Sequence, residues 1–410
     1  MVARSVARSA CGRPLRGVNA EPGGHQGPSL ILGFAKQQYA MGAAFSRPNA
    51  KTFAELVTFT RSTGGGRFNA AGQFEWLAAN EPRFDYDPVT LLPRGLLIEE
   101  QRTNLLLESE FRNGLTDTPV KGGLVSAVAF AGLPSGTGVA FGHDGVAPST
   151  YAYRAYATSA GVAYTFSVFV RMDDGNAPAF SASFALNDFR LVVDGGTINP
   201  VIYKTTSLGG GLYRVTGTLT SSGNSANVGV LKQATYSSRT FKVTGYHLEA
   251  GTFETSYIPT TTAQVTRAAD IPSVTAMSPW YRAAEGTFKI EFQTAPSLQV
   301  PITYFMLSGG TANRFIYLTT DSQFARSYDG VTPLTGSSDV VGPLSKVASA
   351  YSQSGRALSS NGSAPALAAM APSYPAIPSL TVGGGMSGHI REIRYYPRRL
   401  KNSELQAITA

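Results

Sequence analysis

The stretch Tyr164-Thr-Phe-Ser-Val-Phe-Val-Arg-Met172 decides the fold class of this chain of 410 residues. Its apolar residues recur at every second position, the period at which side chains share one face of an extended strand. The residues on that face are Tyr164, Phe166, Val168, Val170 and Met172. Phe169 stands on the opposite face between Ser167 and Arg171, which indicates a second layer over part of that face. The stretch therefore predicts a buried β-strand.

The same alternation appears on both sides of this stretch. It recurs at Leu212–Leu219 and Thr240–Thr244, and it restarts clearly at Thr287-Phe-Lys-Ile-Glu-Phe-Gln293. Gly, Asn and Ser separate these runs at short intervals, as is typical of β-sandwiches. We therefore predict an all-β chain with two consecutive β-sandwich (jelly-roll) domains after an irregular N-terminal attachment region.

Two local signals mark the end of the second sandwich. Asn361-Gly362 predicts a two-residue hairpin, because a type I′ turn needs positive φ at both positions. Ser403 and Gln406 have the spacing of a capping box, which predicts a short helix that closes the fold.

The composition agrees with an all-β fold. Charged residues make up only 15% of the chain, against about 25% in an ordinary soluble domain. No apolar run approaches the roughly 20 residues of a membrane-spanning helix, so we expect no membrane insertion. The net charge of +8 relates to solubility and to non-specific attraction of polyanions. Cys11 is the only cysteine, which excludes an intrachain disulfide and a cysteine-ligated metal site.

The domain boundaries follow changes in Pro, Gly and strand periodicity. Arg4 and Arg8 precede no apolar core long enough for a signal peptide, so we read the N-terminus as an arm. We predict a flexible or particle-docking arm at 1–55, a turn-rich junction at 56–104, a jelly roll at 105–262, a linker at 263–284 and a second sandwich at 285–410.

The sequence carries no motif of catalysis or metal binding. The four histidines are far apart, and the glycine runs lack the Gly-Lys-[Ser/Thr] ending of a phosphate loop. Near-neighbour carboxylates are more typical of turn caps than of a glycosidase pair. We therefore expect no catalytic residue, no metal site and no cofactor. The sequence leaves open a structural calcium ion at Asp85/Asp87, Asp144, Asp194 or Glu249.

Aromatic and arginine side chains are the candidates for a binding site. Sugars present apolar C–H faces and polar rims, so a stacked ring with a few hydrogen-bond donors can hold them. The candidates for carbohydrate binding are Tyr151, Tyr153, Arg154, Tyr304, Arg314, Tyr317, Arg326 and Tyr328. The basic stretch Arg391–Lys401 is more typical of a solvated sheet edge than of a nucleic-acid site, so we expect no nucleic-acid partner.

Several longer segments resemble one family of proteins. Phe59–Thr63, Ala79–Pro88 and Gly95–Leu107 resemble a block of tailed-bacteriophage fibre, spike and other virion proteins. In that family a carbohydrate-binding-module-like jelly roll follows, and it ends with segments similar to His247–Thr260 and Thr266–Asp270. The segments Gly286–Phe292 and Gly388–Leu400 resemble a concanavalin-A/laminin-G-like domain.

The resemblance implies a virion protein with a role in adhesion. It implies a non-catalytic fibre, spike or head fibre on the particle surface that binds host polysaccharide. We expect a homotrimer or another cyclic oligomer that contacts other virion proteins through its N-terminal region. The alternatives are a purely architectural virion or decoration protein and a polysaccharide depolymerase.

Overall fold

Antiparallel β-sheet makes up almost all of the regular structure, which confirms the all-β class. The computed structural model describes residues 26–118, 120–294, 304–309, 314–319, 322–340, 344–369 and 377–410. At residues 117, 120, 200, 304–306, 319, 322 and 323 it describes the backbone alone.

The elements are numbered in chain order. The first strands are β1 Leu30–Gly33, β2 Gln38–Met41, β3 Asn49–Lys51, β4 Thr58–Thr60, β5 Gly65–Phe68, β6 Phe74–Leu77, β7 Phe84–Tyr86, β8 Pro93–Ile98 and β9 Arg102–Asn104. The middle of the chain forms β10 Val120–Gly122, β11 Val125–Ala129, β12 Thr137–Phe141, β13 Ser149–Ala155, β14 Ala163–Met172, β15 Arg190–Val193, β16 Gly196–Thr197, β17 Lys204–Ser207, β18 Tyr213–Thr220, β19 Asn227–Gln233 and β20 Phe241–Ala250. The last strands are β21 Val265–Arg267, β22 Ile271–Val274, β23 Gly286–Thr294, β24 Tyr304–Ser308, β25 Arg314–Thr319, β26 Ser322–Tyr328, β27 Pro333–Asp339, β28 Ser345–Ser352, β29 Gly355–Ser360, β30 Ala366–Ala368, β31 Leu380–Gly384 and β32 Gly388–Tyr396. The helices are α1 Phe53–Leu56 and α2 Asn402–Thr409, with 3₁₀ turns at Gly114–Asp117, Phe184–Leu186 and Pro200–Ile202.

Two sheets form a sandwich in the middle of the chain, here called the central sandwich. One sheet has five strands in the order β10-β13-β19-β15-β16, and the other has six in the order β11-β12-β20-β14-β18-β17. Between them lies a core of buried aliphatic and aromatic side chains, among them Phe166, Val168, Leu191 and Val230.

Strand β14 behaves as its alternation predicts. Phe166, Val168 and Val170 point into the core of the central sandwich. Phe169 points the other way and is also buried, because its ring packs 5.2 Å from that of Tyr257 in a smaller cluster. The second layer expected over this face is therefore present.

The other two large sheets form the terminal sandwich, which both ends of the described chain build together. Its ten-stranded sheet runs β3-β2-β1-β32-β23-β28-β29-β30, with β7 and β8 attached beside β32. Its seven-stranded sheet runs β27-β26-β25-β24-β31-β22-β4. Phe288, Ile290 and Phe292 of β23 are buried in the core between the sheets, as their spacing predicts.

The central sandwich is an insertion in the terminal sandwich. The chain leaves at β9 and returns at β21, and these two strands pair with Asn104 opposite Val265. The sequence predicts instead two sandwiches one after the other. Alternation within a strand does not show which distant strand it pairs with, so it could not reveal the insertion.

The N-terminal stretch differs from the expected arm. Of residues 1–55, the structure describes 26–55, and these form β1, β2, β3 and α1. Strand β1 pairs with β32, and Leu30 and Leu32 are fully buried in the core. The apolar run that starts at Ser29 is too short for a signal peptide but long enough for a four-residue strand.

The predicted linker at 263–284 is also part of the sheet structure. Strand β22 lies between β31 and β4, and Trp280 is buried in the core of the terminal sandwich. Its many Pro and Thr residues suggest a linker. Pro272 fits in β22 because the pairing with β31 covers only Ser273 and Val274, so Pro272 has a paired strand on one side only.

The predicted turn at Asn361-Gly362 is present, and the predicted closing helix is present with a different start. Asn361 and Gly362 both have positive φ, 48° and 75°, as the predicted turn requires. The closing helix α2 begins two residues earlier than expected, with Lys401 at the N-cap and Glu404 at the third position.

Candidate functional site

Two tyrosine rings stack on the outer face of the five-stranded sheet. On β13, Ala152 points into the core, so Tyr151 and Tyr153 point away from it. Their ring centroids are 5.0 Å apart and the ring planes differ by 22°. Both side chains stay partly exposed, so the pair offers an aromatic surface to solvent.

Glycines on the neighbouring strands make room for these rings. Gly122 of β10 lies opposite Tyr151, and a Cβ there would come within 2.7 Å of the Tyr151 ring. Gly229 of β19 lies opposite Tyr153, and a Cβ there would come within 3.0 Å of that ring. The two glycines therefore let the rings lean over the sheet.

The sheet register brings an arginine to the same face. Leu231 of β19 lies opposite both Tyr151 of β13 and Arg190 of β15, so the three residues form one row across the sheet. Neighbouring strands lie about 4.8 Å apart, so the backbone of Arg190 is roughly 10 Å from that of Tyr151.

Two further rings surround Arg190. The centre of its guanidinium lies 4.0 Å from the ring centroid of Phe184 and 5.9 Å from that of Tyr236. Phe184 is 54% exposed, whereas Arg190 is 7% exposed. We call Tyr151, Tyr153, Arg190, Phe184 and Tyr236 the aromatic face.

A tightly bonded loop presents Phe184. The Asn187 side chain is fully buried, accepts from the Ser181 N–H at 2.9 Å and donates to the Ser183 carbonyl at 2.7 Å. The neighbouring Asp188 carboxylate accepts from Arg239 at 2.6 Å. These contacts hold the loop without using Arg190.

Tyr153 and Tyr236 of the aromatic face are neutral hydrogen-bond donors at physiological pH. Burial raises the pKa of Tyr153 to about 12, with the Tyr151 and Tyr236 rings nearby. Burial also raises the pKa of Tyr236 above its ordinary value. The face therefore combines neutral phenols with one guanidinium cation.

Arg154 is not on this face, contrary to the prediction. It is 3% exposed, because the alternation along β13 turns it to the side opposite Tyr151 and Tyr153. Its guanidinium donates to the Glu108 carbonyl at 2.6 Å and lies 4.3 Å from the ring centroid of Phe111.

The predicted residues of the second sandwich come together in part. Arg314 pairs with Tyr328, Tyr317 pairs with Arg326, and the Arg314 guanidinium lies 5.5 Å from both tyrosine rings. Tyr317 is only 4% exposed, and burial raises its pKa. Tyr304 lies in β24, but its side chain is outside the described part of the chain. Of the two described rings, Tyr328 is partly exposed and Tyr317 is buried.

Sequence reasoning missed Arg190, Phe184 and Tyr236. Arg190 is a single basic residue at the start of a strand, and Phe184 lies in a loop, so neither has a local pattern. Only the pairing of β15 with β19, and of β19 with β13, shows that Arg190 shares a face with the tyrosine pair. Phe184 and Tyr236 join that face through their contacts with the Arg190 guanidinium.

A cleft of about 490 Å³ lies elsewhere, beside hairpin β5–β6. Its walls include Phe74, Leu212 and the glycines Gly72 and Gly209. Arg171 at this cleft donates to the carbonyls of Ala131 and Gly210, so its guanidinium is already used within the protein.

Charged residues from the segments 59–63, 79–88, 95–107 and 266–270 meet in a buried cluster. Arg61 donates to Asp270 at 3.0 Å, and Arg83 donates to Glu99 at 2.6 Å and also to Asp270. Arg267 lies 3.5 Å from Glu99. Burial opposes ionisation of Glu99, but Arg267 and Arg83 outweigh it and hold its pKa well below the ordinary value. These five residues, the charge cluster, therefore serve the fold.

The carboxylates considered for calcium have hydrogen-bond partners in the protein. Asp85 lies 2.8 Å from His389, and Asp87 accepts from the Val89 N–H at 2.9 Å as a turn cap. Asp144, Asp194 and Glu249 likewise accept from nearby N–H or O–H groups. The described residues contain no group of three or more His, Cys, Asp or Glu side chains placed to hold a metal ion.

The basic stretch near the C-terminus is largely ion-paired. Arg391 pairs with Glu291 at 3.2 Å, Arg394 with Glu392 at 2.7 Å and Arg398 with Glu404 at 2.8 Å. Among the described residues, no helix has the length and apolar character needed to span a membrane.

Comparison with known proteins identifies no relative by sequence. No family model and no curated protein matches the chain. A mutant sialidase of Trypanosoma rangeli with trans-sialidase activity is 15% identical over 33% of this chain and 25% of its own, with a TM-score of 0.27. The chain thus spans about a quarter of that sialidase.

The weak structural neighbours include carbohydrate-binding modules. The CBM40 module of a Ruminococcus gnavus sialidase, bound to α2,6-sialyllactose, is 18% identical over 31% of this chain and 84% of its own, with a TM-score of 0.25. The tandem CBM22 modules of Paenibacillus barcinonensis Xyn10C are 10% identical over 75% of this chain and 93% of their own, with a TM-score of 0.26. TM-scores this low assign neither a family nor a function to the chain.

Proposed function

We propose that this protein binds a glycan through the aromatic face of the central sandwich. The observation that carries the proposal is the partly exposed ring stack of Tyr151 and Tyr153, which two facing glycines accommodate. An aromatic ring packs against the C–H face of a sugar, and neutral phenol groups donate to its hydroxyls. Binding of this kind needs no nucleophile, acid or base.

We further propose that the glycan is a host surface polysaccharide and that the protein is a tailed-bacteriophage fibre, spike or head fibre. The support is the resemblance of Phe59–Thr63, Ala79–Pro88 and Gly95–Leu107 to virion proteins. In this proposal the protein is a non-catalytic homotrimer that contacts other virion proteins through its N-terminal region. Several copies on one particle would raise avidity by about 10²–10⁴ over a single contact.

Glycan-array binding of the full chain tests this proposal. Tyr151→Ala and Tyr153→Ala should each weaken binding about fivefold, because a stacked ring contributes about 1 kcal/mol. Tyr86→Ala serves as the control, since Tyr86 is similarly exposed but lies on β7 of the terminal sandwich.

The same variants distinguish the alternatives. Binding that both tyrosine variants leave unchanged would refute the role of the aromatic face. Absence of binding to host cells and their polysaccharide would favour a purely architectural protein. Release of reducing ends from that polysaccharide would show a depolymerase.

A further inference from the structure

We propose that Arg190 binds the carboxylate of an acidic sugar on the aromatic face. This inference rests on the proposed function, because it specifies the class of glycan that the same face accepts. The ligand would be an oligosaccharide with at least one uronic or other carboxylate-bearing residue.

The first argument is that Arg190 is a buried cation without a polar partner. It is 7% exposed, its Nε atom is buried without a hydrogen bond, and its guanidinium forms no hydrogen bond or ion pair with any described residue. A buried polar group without a partner costs free energy, and an isolated charge costs more. A bound anion would remove this cost.

Three other buried arginines of the described chain each have a carboxylate partner. Arg61 and Arg83 pair with Asp270, and Arg356 lies 3.3 Å from Asp329. In the described part of the chain Arg190 has no such carboxylate, since the nearby Asp188 pairs with Arg239. The missing partner of Arg190 is thus an exception among these side chains.

The second argument is that the Tyr236 hydroxyl, beside Arg190, is a second hydrogen-bond donor without an acceptor among the described residues. The hydroxyl oxygen of Tyr236 is buried and has no hydrogen-bond partner among the described residues, and Tyr236 is 5% exposed. Its ring centroid is 5.9 Å from the Arg190 guanidinium. A planar carboxylate has two oxygens, so it can accept from a guanidinium and from a neighbouring phenol together.

The surroundings of Arg190 favour a sugar acid over a simple anion. The exposed Phe184 ring lies 4.0 Å from the guanidinium and forms an apolar wall beside it. The stacked pair Tyr151–Tyr153 lies on the same face, two strands away. A ligand that reaches both must join apolar C–H surface and negative charge in one extended molecule, as an acidic oligosaccharide does.

Matched acidic and neutral sugars test the inference with the full chain. The probes are tetragalacturonate with its methyl ester, and sialyllactose with lactose, measured by titration calorimetry. The wild type should bind one of the acidic probes about ten- to a hundredfold more tightly than its neutral counterpart. The preference should decrease as salt increases.

Three variants assign this preference to Arg190. Arg190→Gln should abolish the preference, so that the ratio of acidic to neutral affinity falls to about one. Arg190→Lys keeps the charge but loses the planar fork, so it should retain only part of the preference. Lys36→Gln is the control, since it removes one positive charge at an exposed turn of the terminal sandwich. Circular dichroism and the Tm verify that each variant is folded.

The outcomes separate this inference from the proposed function. If the wild type binds acid and neutral sugars equally, or if Arg190→Gln keeps the preference, the role of Arg190 is refuted while glycan binding stands. If no acidic or neutral probe and no glycan on the array binds, both proposals are refuted.

Discussion

At the scale of single residues, the buried arginines of the charge cluster differ from Arg190 in their polar partners. The charge cluster holds three arginines against Glu99 and Asp270, whereas Arg190 has no hydrogen-bond or ion-pair partner among the described residues. Burial alone therefore does not distinguish Arg190 from the arginines of the charge cluster. The lack of a polar partner does.

The structural role of the charge cluster leads to a stability prediction. Asp270→Asn removes one of two negative charges beside Arg61, Arg83 and Arg267, so it should lower the free energy of unfolding by about 3 kcal/mol. Asp174→Asn removes a carboxylate from an exposed pair with Arg239 and should cost less than about 1 kcal/mol. Urea denaturation of both variants measures the difference. Equal losses would show that the cluster contributes no more than a surface pair.

His247 and Glu249 form a second buried pair with opposing pKa shifts. Burial, with Arg214 adjacent, lowers the pKa of His247 well below its ordinary value, and burial raises the pKa of Glu249 to about 7. Between about pH 4.5 and 6.5 the unfolded chain carries its proton on the histidine and the folded chain carries it on the glutamate. Both states bind one proton, so the pair adds little pH dependence to stability.

Single variants should reveal the two opposing contributions. In Glu249→Gln the lowered pKa of His247 remains, so stability should fall as the pH decreases below 6.5, by about 1 kcal/mol per pH unit. In His247→Gln the raised pKa of Glu249 remains, so stability should fall as the pH rises from 4.5 towards 7. Urea denaturation at several pH values between 5 and 6.5 gives the slopes relative to the wild type. Slopes of the same sign would contradict the opposing shifts.

At the scale of elements, the sequence predicts strands where the alternation is long. Strands β14 and β23 lie where Tyr164–Met172 and Thr287–Gln293 place them, and their apolar faces are buried as predicted. The tyrosine pair of β13 follows from the same rule, and the rule also explains why Arg154 points away from it. Short strands such as β1 escape prediction, because their partner β32 is more than 350 residues away in sequence.

The position of β1 in the core gives a prediction for that element. Leu32 is fully buried, so Leu32→Ala should lower the free energy of unfolding by about 2–5 kcal/mol. Ile31 lies next to it on β1 but points to the other side and is partly exposed, so Ile31→Ala should cost clearly less. Thermal and urea unfolding would compare the two. Equal, small losses would show that residues 30–33 behave as an arm rather than as a strand of the sheet.

At the scale of the whole molecule, the insertion of the central sandwich in the terminal sandwich separates the aromatic face from the charge cluster. Strands β9 and β21 form a separate two-stranded sheet at the point where the central sandwich begins and ends. The charge cluster lies outside the central sandwich. It contacts the segment that follows β20 through Ser256, whose N–H donates to Glu99 at 2.6 Å. The aromatic face lies entirely on the central sandwich.

This topology predicts that the central sandwich can be removed without unfolding the rest. A variant that joins Asn104 to Val265 through a short Asn-Gly turn should keep the β9–β21 pair, since these residues are register partners and Asn-Gly suits a two-residue hairpin. It should unfold cooperatively, at a lower Tm because the Ser256–Glu99 contact is lost. It should also lose glycan binding on the array, because Tyr151, Tyr153 and Arg190 are gone. Retained binding would place the site on the terminal sandwich, where Arg314 and Tyr328 would be the next residues to substitute.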